Sequence, residues 1–453
     1  MTEIDYPTAT AGELVAALAD RRIGALELTD VAIARIEAVD GPINAVVVRD
    51  FDRARDAARA ADAALARGER RLLLGLPMTV KESHNVAGLR TSWGVEMFGN
   101  WIAPTDSIGV ARLKAAGAVI LGKTNVPPML ADWQSDNPIY GRTNNPRDLT
   151  RSPGGSSGGA AAALAAGMVP LEFGSDIGGS IRVPAAFCGV YGHKPSYGIV
   201  PMRGHAPPRA DGAEIPLVVI GPMARTAADL ALGLDVLAGP GPDQAVAWRL
   251  DLPPARRARL ADYRVLVLTH HPMAAADDEI VAALEALAGR LGAAGAAVSR
   301  HSAALPDLAA QQQTYMTIMG AALSSPAEAN APDAMKAGVY QGALHAQAIF
   351  RRAWAALFET VDVVIAPCLG VGAYPHMPPG DPLGQTLLVN GKPEPTMSQM
   401  AWPGLASLPN LPATALPIGR FANGLPIGAQ VIGPYLEDRT TIAFAGLVER
   451  EWG

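Results

Sequence analysis

Cysteine is nearly absent from this 453-residue chain, which has only Cys188 and Cys368. They form no C-x-x-C pair and cannot build a disulfide framework, so both read as small buried apolar residues. No N-x-[ST] sequon occurs, and the eight histidines give neither an H-E-x-x-H motif nor a His/Cys cluster with metal-ligand spacing. Long apolar runs are missing as well. The longest, Ala160 to Leu171, is broken by Gly167 and Pro170 and is too short to span a bilayer. The opening segment "MTEIDYPTATAGELVAAL" has no basic stretch before an apolar core, so it does not read as a signal peptide, and a cytoplasmic setting is expected. The formal charge of -6 is mild and the Lys and Arg residues are dispersed, which argues against nucleic acid as a partner.

What is present is an alternation of helical and strand-like segments. The first 70 residues read as helices. Thr10-x-x-Glu13 is a capping box before Leu14, Ala17 and Leu18, and Gly24 can end that helix. Thr29 can cap the next, with Val31, Ala34 and Ile36 inward, and "DFDRARDAARAADAALARG" makes a third that stops at Gly68. Strand and helix then alternate through "MTVK", "SIGVARLKAAGA", "AVIL", "GGAAAALAAG", "MVPLEFG", "TAADLALGLDVLAG", "YRVLVLTH" and "DDEIVAALEALAGRLGAAG". "LPATALPIG", "LPIGAQVIG" and a helix after Asp438 follow nearer the end. This pattern predicts an α/β protein with strands buried on both faces. The stretch 371–400 is rich in Pro and Gly and reads as a long surface excursion. Strands resume after the linker-like 240–260, so that region reads as an insertion.

One motif fails on inspection. "GAVILGKT", 117–124, matches the phosphate-binding pattern G-x-x-x-x-G-K-[ST]. That motif needs a loop of free N–H groups between a strand and a helix. Here the spacer is Ala-Val-Ile-Leu, which would itself be the strand, and "NVPPML" opposes an immediate helix. A nucleotide-binding protein is therefore disfavoured, and Lys123 reads as a structural hydrogen-bond or ion-pair partner.

Three other segments set polar residues into apolar or glycine-rich backbone. In "LPMTVKES", Lys81 closes a predicted strand and shares a face with Thr79. The carboxyl end of a buried strand is where open α/β sheets bind ligands. Burial lowers a lysine pKa, and a fall of roughly three units from about 10.4 makes the neutral amine a useful base; the alternative is a surface lysine at a strand end. In "RSPGGSSGGAAAALAAG", two glycines on each side of Ser156 and Ser157 let other backbone approach, whereas a plain helix cap needs only one serine. In "GSDIGGSIRVPAAF", successive N–H groups can converge on one anionic point beside Ser180. A serine beside a neutral amine is a nucleophile-plus-base arrangement.

With Ser156 following Lys81 by 75 residues and Ser180 following Ser156 by 24, these three segments resemble the amidase signature family of serine hydrolases. The resemblance extends to "GAVILGKTN" and to "LPNLPATALPIG…GLPIGAQVIGPYLED". It implies one large α/β/α domain around a mixed, mainly buried sheet over residues 1–453. Within it, N-terminal helices occupy 1–70, catalytic core segments 71–240, the insertion 241–310 and the rest of the core 311–453. It also implies a Ser-Ser-Lys triad. Ser180 is the nucleophile, Ser156 the bridging serine on a cis peptide bond after Gly155, and Lys81 the neutral general base. The N–H groups of Ile177, Gly178, Gly179 and Ser180 form the oxyanion hole, and Asp176 and Arg182 hold the loop. No metal or organic cofactor is implied. Two residues depart from the family pattern: Ala160 stands where a polar residue is often found, and His84 where an apolar one is common. His84 reads as a solvated loop histidine, and His193 as local structure.

The expected activity is hydrolysis of a carboxylic amide, aryl or acyl, through an acyl-enzyme on Ser180, with esters and carbamates sharing the carbonyl chemistry. Met129, Trp133 and Gln134 are candidate pocket residues, with Tyr140 weaker. The alternative is a glutamine-dependent amidotransferase component supplying ammonia in a tRNA-modifying complex. It is less favoured because the sequence after residue 300 does not resemble a polar glutamine site.

Overall fold

Strands buried on both faces need apolar residues at nearly every position, and the central segments supply them. A computed structural model of the protein describes residues 4–208, 210, 212–324, 331, 334–378 and 384–452. In chain order its strands are β1 (Val46–Arg49), β2 (Pro77–Lys81), β3 (Val119–Thr124), β4 (Asp136–Asn137), β5 (Gly141–Arg142), β6 (Leu171–Asp176), β7 (Tyr191–Lys194) and β8 (Val219–Ala224). They continue with β9 (Arg264–Val267), β10 (Ala297–Ser299), β11 (Val363–Pro367), β12 (Thr386–Val389), β13 (Lys392–Pro395), β14 (Ala413–Arg420) and β15 (Pro426–Ile432). The large sheet has the order β10-β9-β11-β15-β14-β7-β8-β6. It is mixed: β9 runs parallel to β10 and β11, and the other neighbours are antiparallel. A smaller sheet, β1-β3-β2, sets β2 parallel to β3, and β2 lies against β6. That placement brings the end of β2, with Lys81, to the end of β6.

The N-terminal stretch forms α1 (Ala11–Ala19), α2 (Ala25–Val39) and α3 (Phe51–Ala66), but β1 intervenes between the last two. The capping box forms as expected, with Glu13 N–H donating to Thr10 Oγ1 at 3.0 Å and Thr10 N–H to Glu13 Oε2 at 2.8 Å. Gly24 does not end α1; it precedes α2, which starts before Thr29. The reason is tertiary: Asp62 on α3 accepts from Ala25 N–H at 2.6 Å and Leu26 N–H at 3.0 Å, so an anion sits on the free N–H groups of α2. The buried face is accordingly Ala25, Leu28, Ala32, Ile33 and Ile36, while Val31 and Ala34 are exposed.

The later helices include α4 (Ile108–Ala115), α5 (Gly158–Ala165), α6 (Arg182–Cys188), α7 (Ala227–Leu237), α8 (Asp278–Ala293) and α9 (Leu308–Leu323), then Ala337–Thr360, Ala401–Ser407 and Asp438–Trp452. The phosphate-motif match lies in β3, where Gly122 and Lys123 are strand residues with no loop to wrap a phosphate. Lys123 is buried and donates to Thr91 Oγ1 at 2.7 Å and to the Arg90 carbonyl. Residues 241–310 supply β9, β10 and α8, with β9 inside the large sheet. Among the described helices none is long and apolar enough to cross a membrane. Both cysteines are buried and unpaired.

The surface excursion expected over 371–400 is not what forms; its residues 379–383 lie outside the described ones. Val371, Ala373 and Tyr374 are buried, and the β12–β13 hairpin turns Leu387 and Val389 inward. They join Trp133, Tyr315 and Met400 in a second apolar cluster. The Pro and Gly content hid an alternation that packs one face of the hairpin.

A third cluster is built on Trp354 and Trp402. Trp354 is fully buried, and its Nε1 donates to Gln311 Oε1 at 2.7 Å. Trp354→Ala removes that bond and opens a large cavity. It should lower stability by about 3–5 kcal/mol, read as a reduced denaturation midpoint in urea.

Candidate active site

Lys81 ends β2 with its side chain wholly enclosed. Its Nζ lies 2.7 Å from Ser156 Oγ and 2.9 Å from Ser175 Oγ, donating to both hydroxyls. Burial strips hydration from the ammonium and lowers its pKa to about 7, against the opposing pull of Asp176 and Glu172. The amine is therefore substantially neutral near physiological pH.

Ser156 and Ser157 stand just before α5. The Gly155–Ser156 peptide bond is cis. A Cβ on Gly155 would run into the Asp132 carbonyl oxygen, so only glycine lets this turn lie against the 132–134 backbone. Ser157 makes no side-chain cap on α5. Its hydroxyl donates to the Ser175 carbonyl at 3.3 Å, and its N–H donates to the Ser180 carbonyl at 3.1 Å. These bonds draw the two serine-bearing turns and β6 together.

The turn after β6 is strapped by Asp176. This buried carboxylate accepts from the N–H groups of Gly179 at 2.9 Å and Ile181 at 3.1 Å, and from Arg182 Nε at 3.0 Å and Nη2 at 2.8 Å. Burial alone would raise its pKa, but the Arg182 charge and hydrogen bonds prevail and hold it at about 2. Arg182 also donates to the Pro403 carbonyl at 3.0 Å, Gln430 Oε1 at 2.6 Å and Ser407 Oγ at 3.0 Å. Gly179 has a φ of +91°, which its lack of a side chain permits. Its N–H, one of the four expected oxyanion donors with Ile177, Gly178 and Ser180, donates to Asp176 Oδ1 in this structure. The Ser180 residue is 6% exposed, against 1% for Ser156 and 0% for Lys81, so the serine expected to attack is the most accessible of the three.

The Amidase family model matches residues 27–330 and 322–442. The chain belongs to the amidase signature family. A glutamyl-tRNA(Gln) amidotransferase component of Roseiflexus castenholzii is 35% identical, covering 96% of this chain and 94% of that protein. AmiB2 of Mycobacterium tuberculosis, an amidase by name, is 35% identical over 100% of this chain and 98% of its own. A solved bacterial aryl acylamidase of the amidase signature enzymes superposes with a TM-score of 0.84 at 25% identity, covering 98% of this chain and 96% of that one. The protein is thus a hydrolase of the amidase family, acting on amide C–N bonds.

The candidate pocket residues divide. Trp133 Nε1 donates to the Gly178 carbonyl at 2.9 Å, so its ring lies directly on the turn that leads to Ser180. Gln134 Oε1 accepts from Met377 N–H at 2.8 Å and ties this loop to the 371–378 segment. Met129 is 47% exposed on a separate turn. Tyr140 points elsewhere, its hydroxyl 3.0 Å from Glu82 Oε1. His84 is not solvated: it is fully buried and stacks on Phe173 with ring centroids 4.1 Å apart, and burial holds it well below the usual histidine range. His193 joins Thr414 at 2.9 Å and Asp438 at 3.1 Å, a structural bridge.

Several site residues escaped the sequence reading. Tyr315 donates to the Ile177 carbonyl at 2.8 Å, and Met400 packs on Gly178 so closely that a Cβ there would strike its methyl. Both come from the last third of the chain. Ser175 and Glu172 lie within β6, and their signal was that they, with Asp176, set polar residues into a strand otherwise of Leu, Phe and Gly. Replacing Arg182 with Met should strand the Asp176 charge in the interior. A loss of about 3–5 kcal/mol in unfolding free energy is expected from chemical denaturation.

Proposed function

We propose that this protein hydrolyses small carboxylic amides, aryl or acyl, through an acyl-enzyme on Ser180, with esters and carbamates as further substrates of the same chemistry. The observation that carries this reading is the 2.7 Å contact between the buried Lys81 amine and the Ser156 hydroxyl. In the proposed reaction Ser180 Oγ forms a bond to the substrate carbonyl carbon. Its proton passes through Ser156 to neutral Lys81. The carbonyl oxygen gains negative charge and faces the N–H groups of Ile177, Gly178 and Ser180. The C–N bond then breaks as the proton returns along the same path to the leaving amine. Water, deprotonated by the same relay, releases the acid and restores Ser180.

The family relationship also supports a second reading, an ammonia-supplying amidotransferase component, through the Roseiflexus relative. Purified chain and a chromogenic anilide separate the two. Turnover by the chain alone, unchanged by added glutamine, is expected. Glutamine hydrolysis that appears only with partner proteins would replace the first reading with the second.

Ser180→Ala should abolish both turnover and covalent labelling by a fluorophosphonate; full labelling of that variant would remove Ser180 as nucleophile. Lys81→Ala should lose activity by at least about 100-fold, the scale of general-base catalysis. With Lys81 at about 7, the protonated, inactive form dominates below that pH. The value of kcat/KM should therefore rise with pH and reach half its plateau near neutrality.

A further inference from the structure

β6, which packs against β2, carries the two carboxylates whose charge acts on Lys81, Asp176 and Glu172, and they are differently held. Asp176 is paired with the Arg182 guanidinium. Glu172 is 1% exposed, and its oxygens are hydrogen-bonded by neutral groups. Thr124 Oγ1 donates to Oε1 at 2.8 Å and Phe173 N–H to Oε2 at 2.7 Å. Thr124 is also the cross-strand partner of Lys81 between β2 and β3. One residue thus carries Glu172 on its side chain and adjoins Lys81 through its backbone.

The other titratable groups around Lys81 contribute little charge. His84, on the turn after β2, and His205, on the segment between β7 and β8, both feel Lys81, and burial holds both below the normal histidine range. Lys123 on β3 faces Glu82, which accepts from Ser92 and Trp93 N–H groups at 2.6 and 2.9 Å. The remaining close partners of Lys81 are the hydroxyls of Ser156 and Ser175.

We propose that Glu172 is a positioning residue for the base, its carboxylate serving as the counter-charge for the ammonium that Lys81 becomes on taking the nucleophile's proton. This rests on the lysine-base reading above and deepens it. Burial raises Glu172 to about 7, so it ionises over the same range in which Lys81 becomes neutral. An anion then stands ready beside an uncharged amine, and the proton arriving from Ser180 creates a pair rather than an isolated buried cation.

The test is the pH profile of kcat/KM for an anilide, with the rate of fluorophosphonate labelling of Ser180 as a second readout. Glu172→Gln keeps the shape and removes the charge. The protonated lysine loses its partner, so the acid limb should move to lower pH by about one unit and the plateau should fall about tenfold. Thr124→Val removes one hydrogen bond to the carboxylate and should move the limb in the same direction by less. It also serves if Glu172→Gln does not fold. Limbs that superimpose on the wild-type one in the folded variants would overturn the role of Glu172. Lys81→Ala keeps the two claims apart. If it is inert while the Glu172→Gln limb is unmoved, only the Glu172 role fails; if it labels at the wild-type rate, the lysine base itself fails.

Discussion

Withdrawing one lysine amine from water is the constraint on which this architecture depends. An exposed Lys81 would stay charged and could not accept a proton near neutral pH. To keep it dry, β2 must lie against β6, with β3 on its other side. To keep it from being locked in a strong ion pair, the nearest acceptors are hydroxyls, Ser156 and Ser175. The one strong acid at the end of β6, Asp176, is bound to Arg182. The charges in this region are thus sorted so that the amine is neither hydrated nor directly salt-bridged.

The turn that carries Ser180, the proposed nucleophile, depends on the same sorting. Asp176 holds the turn by its own backbone N–H groups, and Arg182 fans out to Pro403, Ser407 and Gln430. A single buried guanidinium therefore joins residues around 180 to three places beyond residue 400. This explains physically why the site cannot be confined to the segment between Lys81 and Ser180. The strands and helices that follow are needed to satisfy the arginine that positions the turn.

The triad candidates and the α/β alternation were legible because each leaves a local mark. Lys81 ends an apolar strand, and Ser156 and Ser180 follow paired glycines that permit close backbone approach and left-handed turns. The failed nucleotide motif was legible for the same reason, since Ala-Val-Ile-Leu is strand. What stayed hidden depends on partners distant in sequence. The start of α2 is set by Asp62, the burial of His84 by Phe173 and the cover over Gly178 by Met400. The bond from Gly179 N–H to Asp176 was not legible because a glycine turn does not announce which carboxylate will fold back on it. The 371–400 stretch looked like a loop because Pro and Gly outweighed the Leu387–Val389 alternation.

The residues packed on the Ile177–Ser180 turn bear on which amide the proposed site would take. A free amino acid such as glutamine carries an ammonium and a carboxylate that need charged or hydrogen-bonding partners once buried. Here the polar atoms of the cover have other duties. Tyr315 OH donates to the Ile177 carbonyl and Trp133 Nε1 to the Gly178 carbonyl. The Tyr315 and Trp133 rings and the Met400 thioether join one buried apolar cluster beside the turn. Under the amide-hydrolase proposal, an apolar surround of this kind would favour an aryl or alkyl group over a zwitterion. On that proposal, two enzymes with the same lysine and serines would diverge in substrate through the residues that hold the Ile177–Ser180 turn from above, and in this chain those residues match the proposed apolar amide.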